Sequence, residues 1–114
     1  MRADARLLRQ ALSNLLRNAA EAIPDRQADR RVTVEASIEI DQGKQWATIS
    51  IHDTGPGIPA SDLQKIFIPF FTTKSKGHGV GLALAHRVIT QHGGTLTADN
   101  ARGAGAIFTI KLPV

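Results

Sequence analysis

The sequence predicts an α+β domain of two layers, a mostly antiparallel sheet with helices on one of its faces. Three observations carry that prediction. An apolar stripe at three- and four-residue spacing opens the chain, stretches alternating apolar with polar residues follow it, and glycine- or proline-bearing turns separate the segments. Their order is helix, hairpin, helix, hairpin.

Leu7, Leu8, Ala11, Leu12, Leu15, Leu16, Ala19, Ala22 and Ile23 form the stripe of the first helix, which Pro24 and Asp25 end. Residues 25–31 are polar and read as a loop. Val32, Val34, Ala36, Ile38 and Ile40 alternate with Thr33, Glu35, Ser37 and Glu39, the pattern of a half-buried strand. Asp41-Gln42-Gly43-Lys44 is a turn, and Trp46 to Ile51 alternates again, so 32–51 reads as an antiparallel hairpin. Asp53-Thr54-Gly55-Pro56-Gly57-Ile58-Pro59 forces an irregular turn. Ser61 is placed to cap a short helix through about Ile66, and residues 67–79 read as a long loop. A second helix is expected from about Gly79 through Gln91, with Val80, Leu82, Ala83, Leu84, Val88 and Ile89 as its apolar content and Gly93-Gly94 as its stop. Leu96 to Ala98 and Ala106 to Leu112 are two more strands, joined by a turn at 101–105.

With 114 residues, 42% hydrophobic and 21% charged, the chain has ordinary globular composition and one domain's length, which excludes disorder. It contains no cysteine, so disulfide frameworks, thiolate metal sites and cysteine nucleophiles are excluded. No apolar run reaches the ~20 residues of a membrane span, and no signal-peptide pattern opens the chain. A net charge of +4 favours an anionic partner. Four Phe, one Trp and no Tyr are thin for base stacking, so nucleic acid is not expected. The dense basic pair Lys74-x-Lys76 suits a phosphate-bearing small molecule better.

Three features carry chemistry. Gly77-His78-Gly79-Val80-Gly81 places glycine at alternate positions just before a helix, where backbone N–H groups and the helix N-terminus can cradle phosphate. It lacks the Gly-Lys-Ser/Thr of a Walker A loop and the parallel βαβ setting of a dinucleotide fingerprint. Asp53 sits where a strand gives way to the Gly-Pro-Gly turn. It reads either as an Asx-turn residue or as a carboxylate at a pocket floor, accepting from an exocyclic amine. Asn14 and Asn18 lie four apart on one helix face, and read either as exposed polar residues opposite the Leu stripe or, at the edge of the buried face, as amides whose oxygens can reach Mg²⁺ directly or through water.

Taken in order, Asn14-Leu15-Leu16-Arg17-Asn18-Ala19, Asp53-x-Gly55-x-Gly57-Ile58, Phe67-x-x-Phe70-Phe71-Thr72-Thr73-Lys74 and Gly77-x-Gly79-x-Gly81-Leu82 resemble the N, G1, F and G2 boxes of sensor histidine kinase ATP-binding domains. The closing Gly105-Ala106-Ile107-Phe108-Thr109-Ile110-Lys111-Leu112-Pro113 is similar to the strand that ends such domains, and the resemblance covers about residues 7 to 113. The short loop between Phe71 and Gly77 looks most like the family's nitrogen-regulation branch.

The resemblance implies a Bergerat-type ATP site. Asp53 would take the adenine amine, and Gly55, Gly57 and Ile58 would shape the adenine wall. Asn18 would hold Mg²⁺, with Asn14 near the phosphates. Lys74 would face the phosphates, Gly77, Gly79 and Gly81 would cradle them, Arg17 and Lys76 would be phosphate neighbours, and Leu82 would belong to the same nucleotide-binding set. The implied partners are a histidine phosphoacceptor and dimerisation domain and a response regulator downstream. The implied location is cytoplasmic, without direct membrane contact, whether or not the parent protein is anchored in the inner membrane.

Departures sharpen the reading. Ala106 stands where many superfamily members carry Thr, and Glu21 where many carry Lys. His52-Asp53 mimics a phosphoacceptor His-acid pair, yet Gly-Pro-Gly follows it, and neither His86 nor His92 has an acid neighbour. The whole chain, 1–114, is therefore expected to be a single ATP-binding domain whose phosphoacceptor histidine lies elsewhere, with no general base of its own. Strand-separating and chaperone-type ATPases place a water-activating Glu where this chain has Asn14. An anti-sigma-type serine kinase and a module that only binds nucleotide are the alternatives.

Overall fold

The structure is a computed structural model that describes residues 3–68, 81–101 and 105–114. The first helix, α1, spans Ala5–Ala22. Asp4 caps it from extended backbone, its carboxylate accepting from the Arg6 and Leu7 N–H groups at 3.0 and 3.1 Å. Ala11, Leu15 and Ala19, spaced by four, are its buried residues.

Strand β1 (Val32–Asp41) pairs antiparallel with β2 (Lys44–Asp53), closing across Gln42 and Gly43. Both turn residues have positive φ, 52° and 78°, as a two-residue hairpin requires. The second helix, α2, is described over Gly81–Gln91, and its expected start near Gly79 lies outside the described residues. Then come β3 (Thr95–Asn100) and β4 (Ala106–Pro113). Among the described residues the sheet has four strands in the order β1-β2-β4-β3, each neighbouring pair antiparallel. Both hairpins run further than the sequence predicts, β2 to Asp53 and β3 to Asn100.

One face of the sheet carries the core. Ile51, Phe108, Ile110, Leu112 and Leu96 share that face by register, and they pack with Leu15, Ala85 and Ile89 of the helices. Ala106, Phe108, Ile110 and Leu112 are buried while their alternate neighbours on β4 are half-exposed, so the helices cover one side only.

Three expectations are corrected. Apart from half-buried Val32, β1 is exposed along its length, with Val34, Ile38 and Ile40 at 51, 60 and 73%. It forms one edge of the sheet, and its apolar residues extend past the helices that cover β2, β4 and β3. Leu16 and Leu84 are likewise exposed, on the outer sides of their helices. Ser61 does not cap an α-helix; it lies inside a 3₁₀ turn, Ala60–Asp62, whose preceding residue is Pro59 and which has no side-chain cap. Further turns follow, with Lys65 and Ile66 N–H both donating to the Asp62 carbonyl. So short a segment gains too few bonds to nucleate an α-helix, and the tighter turn orders fewer residues.

Candidate functional site

A cleft of about 190 Å³ opens between α1, the end of β2 and the start of α2. Asn18, Asp53, Gly57, Ile58 and Leu82 line it, with Phe108 and Ala106 of β4 and Glu21, Ala22, Pro56 and Ile66 completing the wall. The N-box helix, the Gly-Pro-Gly turn and the helix after the glycine run thus meet in one place.

Asp53 is the one charged residue buried among the described residues, at 1% exposure. Its Oδ1 accepts from the Gly55 N–H at 2.8 Å and from the Ala106 N–H at 3.3 Å. The first bond is the Asx-turn of the first reading, and the second crosses to β4. Two backbone donors fix the carboxylate while it still borders the cleft. Gly55 permits this because α1 comes close: a Cβ there would lie 2.8 Å from the Ala22 carbonyl.

The turn is held from its outer side as well. The Thr54 N–H donates to the Arg31 carbonyl at 3.1 Å, and the Arg31 N–H donates to Thr54 Oγ1 at 2.9 Å. Gln27 Nε2 also donates to the Thr54 carbonyl. The loop of 24–31 therefore staples the strand end that carries Asp53. Within it, Arg31 Nε and Asp29 Oδ1 are 2.7 Å apart, and hydrogen bonding to that guanidinium lowers the Asp29 carboxyl below its ordinary value.

Further along the turn, the Ile58 N–H donates to Asn100 Oδ1 and Asn100 Nδ2 donates back to the Ile58 carbonyl, both at 2.7 Å. Asn14 is half-buried beside the start of α2, its Cγ 3.9 Å from where a Gly81 Cβ would stand. Arg17 is exposed and lies outside the lining. Lys74, Gly77 and Gly79, with Phe70 and Phe71, lie outside the described residues. Phe67 is described: it stacks on His86 at 4.9 Å and meets Phe108, a cleft-lining residue, edge-on at 6.3 Å.

Sequence reasoning missed Asn100 and Phe108 as parts of the site. Phe108 carries no polar signal, and Asn100 becomes relevant only when β3 is known to reach it.

The sequence profile of the histidine kinase-, DNA gyrase B- and HSP90-like ATPases matches residues 3–114. The chain belongs to this ATPase family. Sensor histidine kinase ZraS of Klebsiella oxytoca is 43% identical over 114 residues, covering 100% of this chain and 23% of that protein. Signal transduction histidine-protein kinase AtoS of Escherichia coli K12 is 45% identical over 112 residues, 98% of this chain and 17% of the relative. This ATPase chain thus spans about a quarter or less of the length of such relatives. Among solved structures, a mycobacterial sensor histidine kinase, MprB, superposes with a TM-score of 0.83 at 36% identity, covering 97% of this chain and 72% of that one. Full-length ShkA in complex with AMPPNP gives 0.75 at 33% identity, covering 94% and 21%. The chain is the ATP-binding catalytic type of domain that sensor histidine kinases carry.

Proposed function

We propose that this domain binds Mg-ATP and positions the γ-phosphate for in-line transfer to a histidine on a separate phosphoacceptor domain, in two-component signalling with a downstream response regulator. The observation that supports it most is the buried Asp53 carboxylate, pinned by two backbone N–H groups at the floor of a cleft that Asn18 and Leu82 also line. Adenine's amine would meet the carboxylate. Gly57 and Ile58 would form the wall beside the base, and the N-terminal end of α2 would lie toward the phosphates. Asn14, Arg17, Lys74, Gly77, Gly79 and Gly81 keep the phosphate-side roles that the resemblance gives them.

Among the described residues no group of three or more His, Asp or Glu could hold a metal. Mg²⁺ would be held by the Asn18 amide oxygen, which lines the cleft, together with phosphate oxygens and water, a donor set that suits a hard cation. The metal would neutralise phosphate charge, and the chain's own part is binding and positioning.

Among the described residues, no histidine is placed as an acceptor, and His78 lies outside them. His52 is in β2, His86 stacks on Phe67, and the His92 ring is engaged at both nitrogens. The acceptor would belong to the phosphoacceptor domain, in the parent protein or another chain. No described helix is long and apolar enough to cross a membrane.

Incubation with γ-labelled ATP and Mg²⁺ tests the reading. The domain should stay unlabelled, and an added phosphoacceptor domain should acquire acid-labile phosphohistidine. Stable label on His52, His78, His86 or His92 would sink it.

A further inference from the structure

The base end of the cleft is bounded by two parts of one turn, the Asp53 carboxylate and the Gly57–Ile58 backbone. Both are fixed from outside that turn, and by the same hairpin. Ala106, the first residue of β4, donates its N–H to Asp53 Oδ1 at 3.3 Å. Asn100, the last residue of β3, is the register partner of Ala106. Its amide accepts from the Ile58 N–H and donates to the Ile58 carbonyl, each at 2.7 Å. The spacing between acceptor and wall is thus set by a paired strand end, while the turn itself is irregular and rich in glycine and proline.

A primary amide is suited to this task because it carries a donor and an acceptor in one plane. A carboxylate offers no donor, and alanine offers neither group. The amide also lies directly on the turn: a Cβ on Gly57, whose φ is +85°, would stand 2.7 Å from Asn100 Oδ1. Asn100 is exposed and touches the backbone of the wall, so its influence on a ligand runs through Ile58.

We propose that Asn100 is a positioning residue that sets base selectivity, by clamping Ile58 at a fixed distance from Asp53. The inference rests on the nucleotide reading above. A base with an amine facing Asp53 forms an ionic hydrogen bond. A base with a carbonyl there faces two acceptors in opposition, and rejection is strong only while neither wall can retreat. With Ile58 unclamped, the turn relaxes, the base shifts or admits water, and the penalty on the wrong base falls.

Competition binding of ATP and GTP with Mg²⁺, on the 114-residue chain and its Asn100→Ala and Asn100→Asp variants, tests this. The unsubstituted chain should prefer ATP. Asn100→Ala, which removes both bonds to Ile58, should weaken ATP roughly tenfold and GTP much less, so the ATP-to-GTP ratio contracts. Asn100→Asp keeps the bond from the Ile58 N–H and should fall between. Partial unfolding scales both affinities alike, so a merely structural role leaves the ratio unchanged. Exchange of the Ile58 amide without nucleotide should accelerate in Asn100→Ala. An unchanged ratio in either variant, with ATP still bound, overturns this inference alone. Failure of the unsubstituted chain to bind ATP overturns the nucleotide reading and this inference with it.

Discussion

Gly105 is packed so tightly against Asp53 that a side chain on it would overlap the Asp53 carbonyl oxygen. Its φ is +88°, a conformation that other residues rarely adopt. The next residue, Ala106, is the donor to the Asp53 carboxylate, so this close approach brings β4 to the end of β2.

Gly105→Ala is therefore expected to destabilise the domain by more than about 2 kcal/mol, combining the left-handed penalty with a clash against backbone. Gly43 is the control. Its φ is +78° but nothing lies within 4 Å of its would-be Cβ, so Gly43→Ala should cost only about 1 kcal/mol. Urea unfolding of both variants checks this. Equal costs would mean that conformation, and not the contact with Asp53, decides.

Asp53→Asn should separate binding from folding. The amide oxygen can still accept from Gly55 and Ala106, so stability should change by less than about 1.5 kcal/mol. The ionic acceptor for the adenine amine is lost, and affinity for Mg-ADP should fall by roughly 1.5–3 kcal/mol. Calorimetry beside thermal unfolding reads the two quantities. Unchanged affinity would remove Asp53 from the adenine end.

Much of this was legible in the sequence, for identifiable reasons. Period-two alternation marks the first hairpin, and the spacing of Ala11, Leu15 and Ala19 marks the buried face of α1. The Asp53-x-Gly55-x-Gly57 turn announced itself because glycine and proline at such density exclude regular structure. What stayed hidden depends on three-dimensional order. Val34, Ile38 and Ile40 alternate like core residues, but only strand order shows that β1 is an edge. Asn100 bonds a residue 42 positions earlier, which no local pattern encodes. Asp4 did have a local signal, an Asp three residues before the first leucine of the apolar stripe, but only the backbone N–H bonds show that it caps.

Asp29 offers a test of the loop that holds Thr54. Its carboxyl is lowered chiefly by the hydrogen bond from Arg31, with their charge attraction adding to it. A folded value below the unfolded one means the pair contributes above the ordinary carboxylate range and loses its contribution as pH falls through the lowered value. In an NMR titration Asp29 should titrate below the ordinary aspartate value. Arg31→Ala should bring it back up, and added salt should partly do so, because the pair is exposed. A titration that ignores Arg31→Ala would show that the contact does not persist in solution.

His92 ties the two helices together at the end of the molecule away from the cleft. The Asp4 N–H donates to its Nε2 at 3.0 Å, which leaves Nδ1 to carry the proton and donate to the Val88 carbonyl at 2.7 Å. The ring thus joins the capping residue of α1 to the last turn of α2. Asn18 lies about 20 Å further along α1, given a rise of about 1.5 Å per residue. His92→Ala should therefore lower stability by about 1–2 kcal/mol, two partly exposed hydrogen bonds, and leave the nucleotide affinity of folded molecules unchanged. That is the converse of Asp53→Asn. Urea unfolding and calorimetry on His92→Ala supply both readouts, and a loss of affinity without a loss of stability would show that this end of the helices is coupled to the cleft.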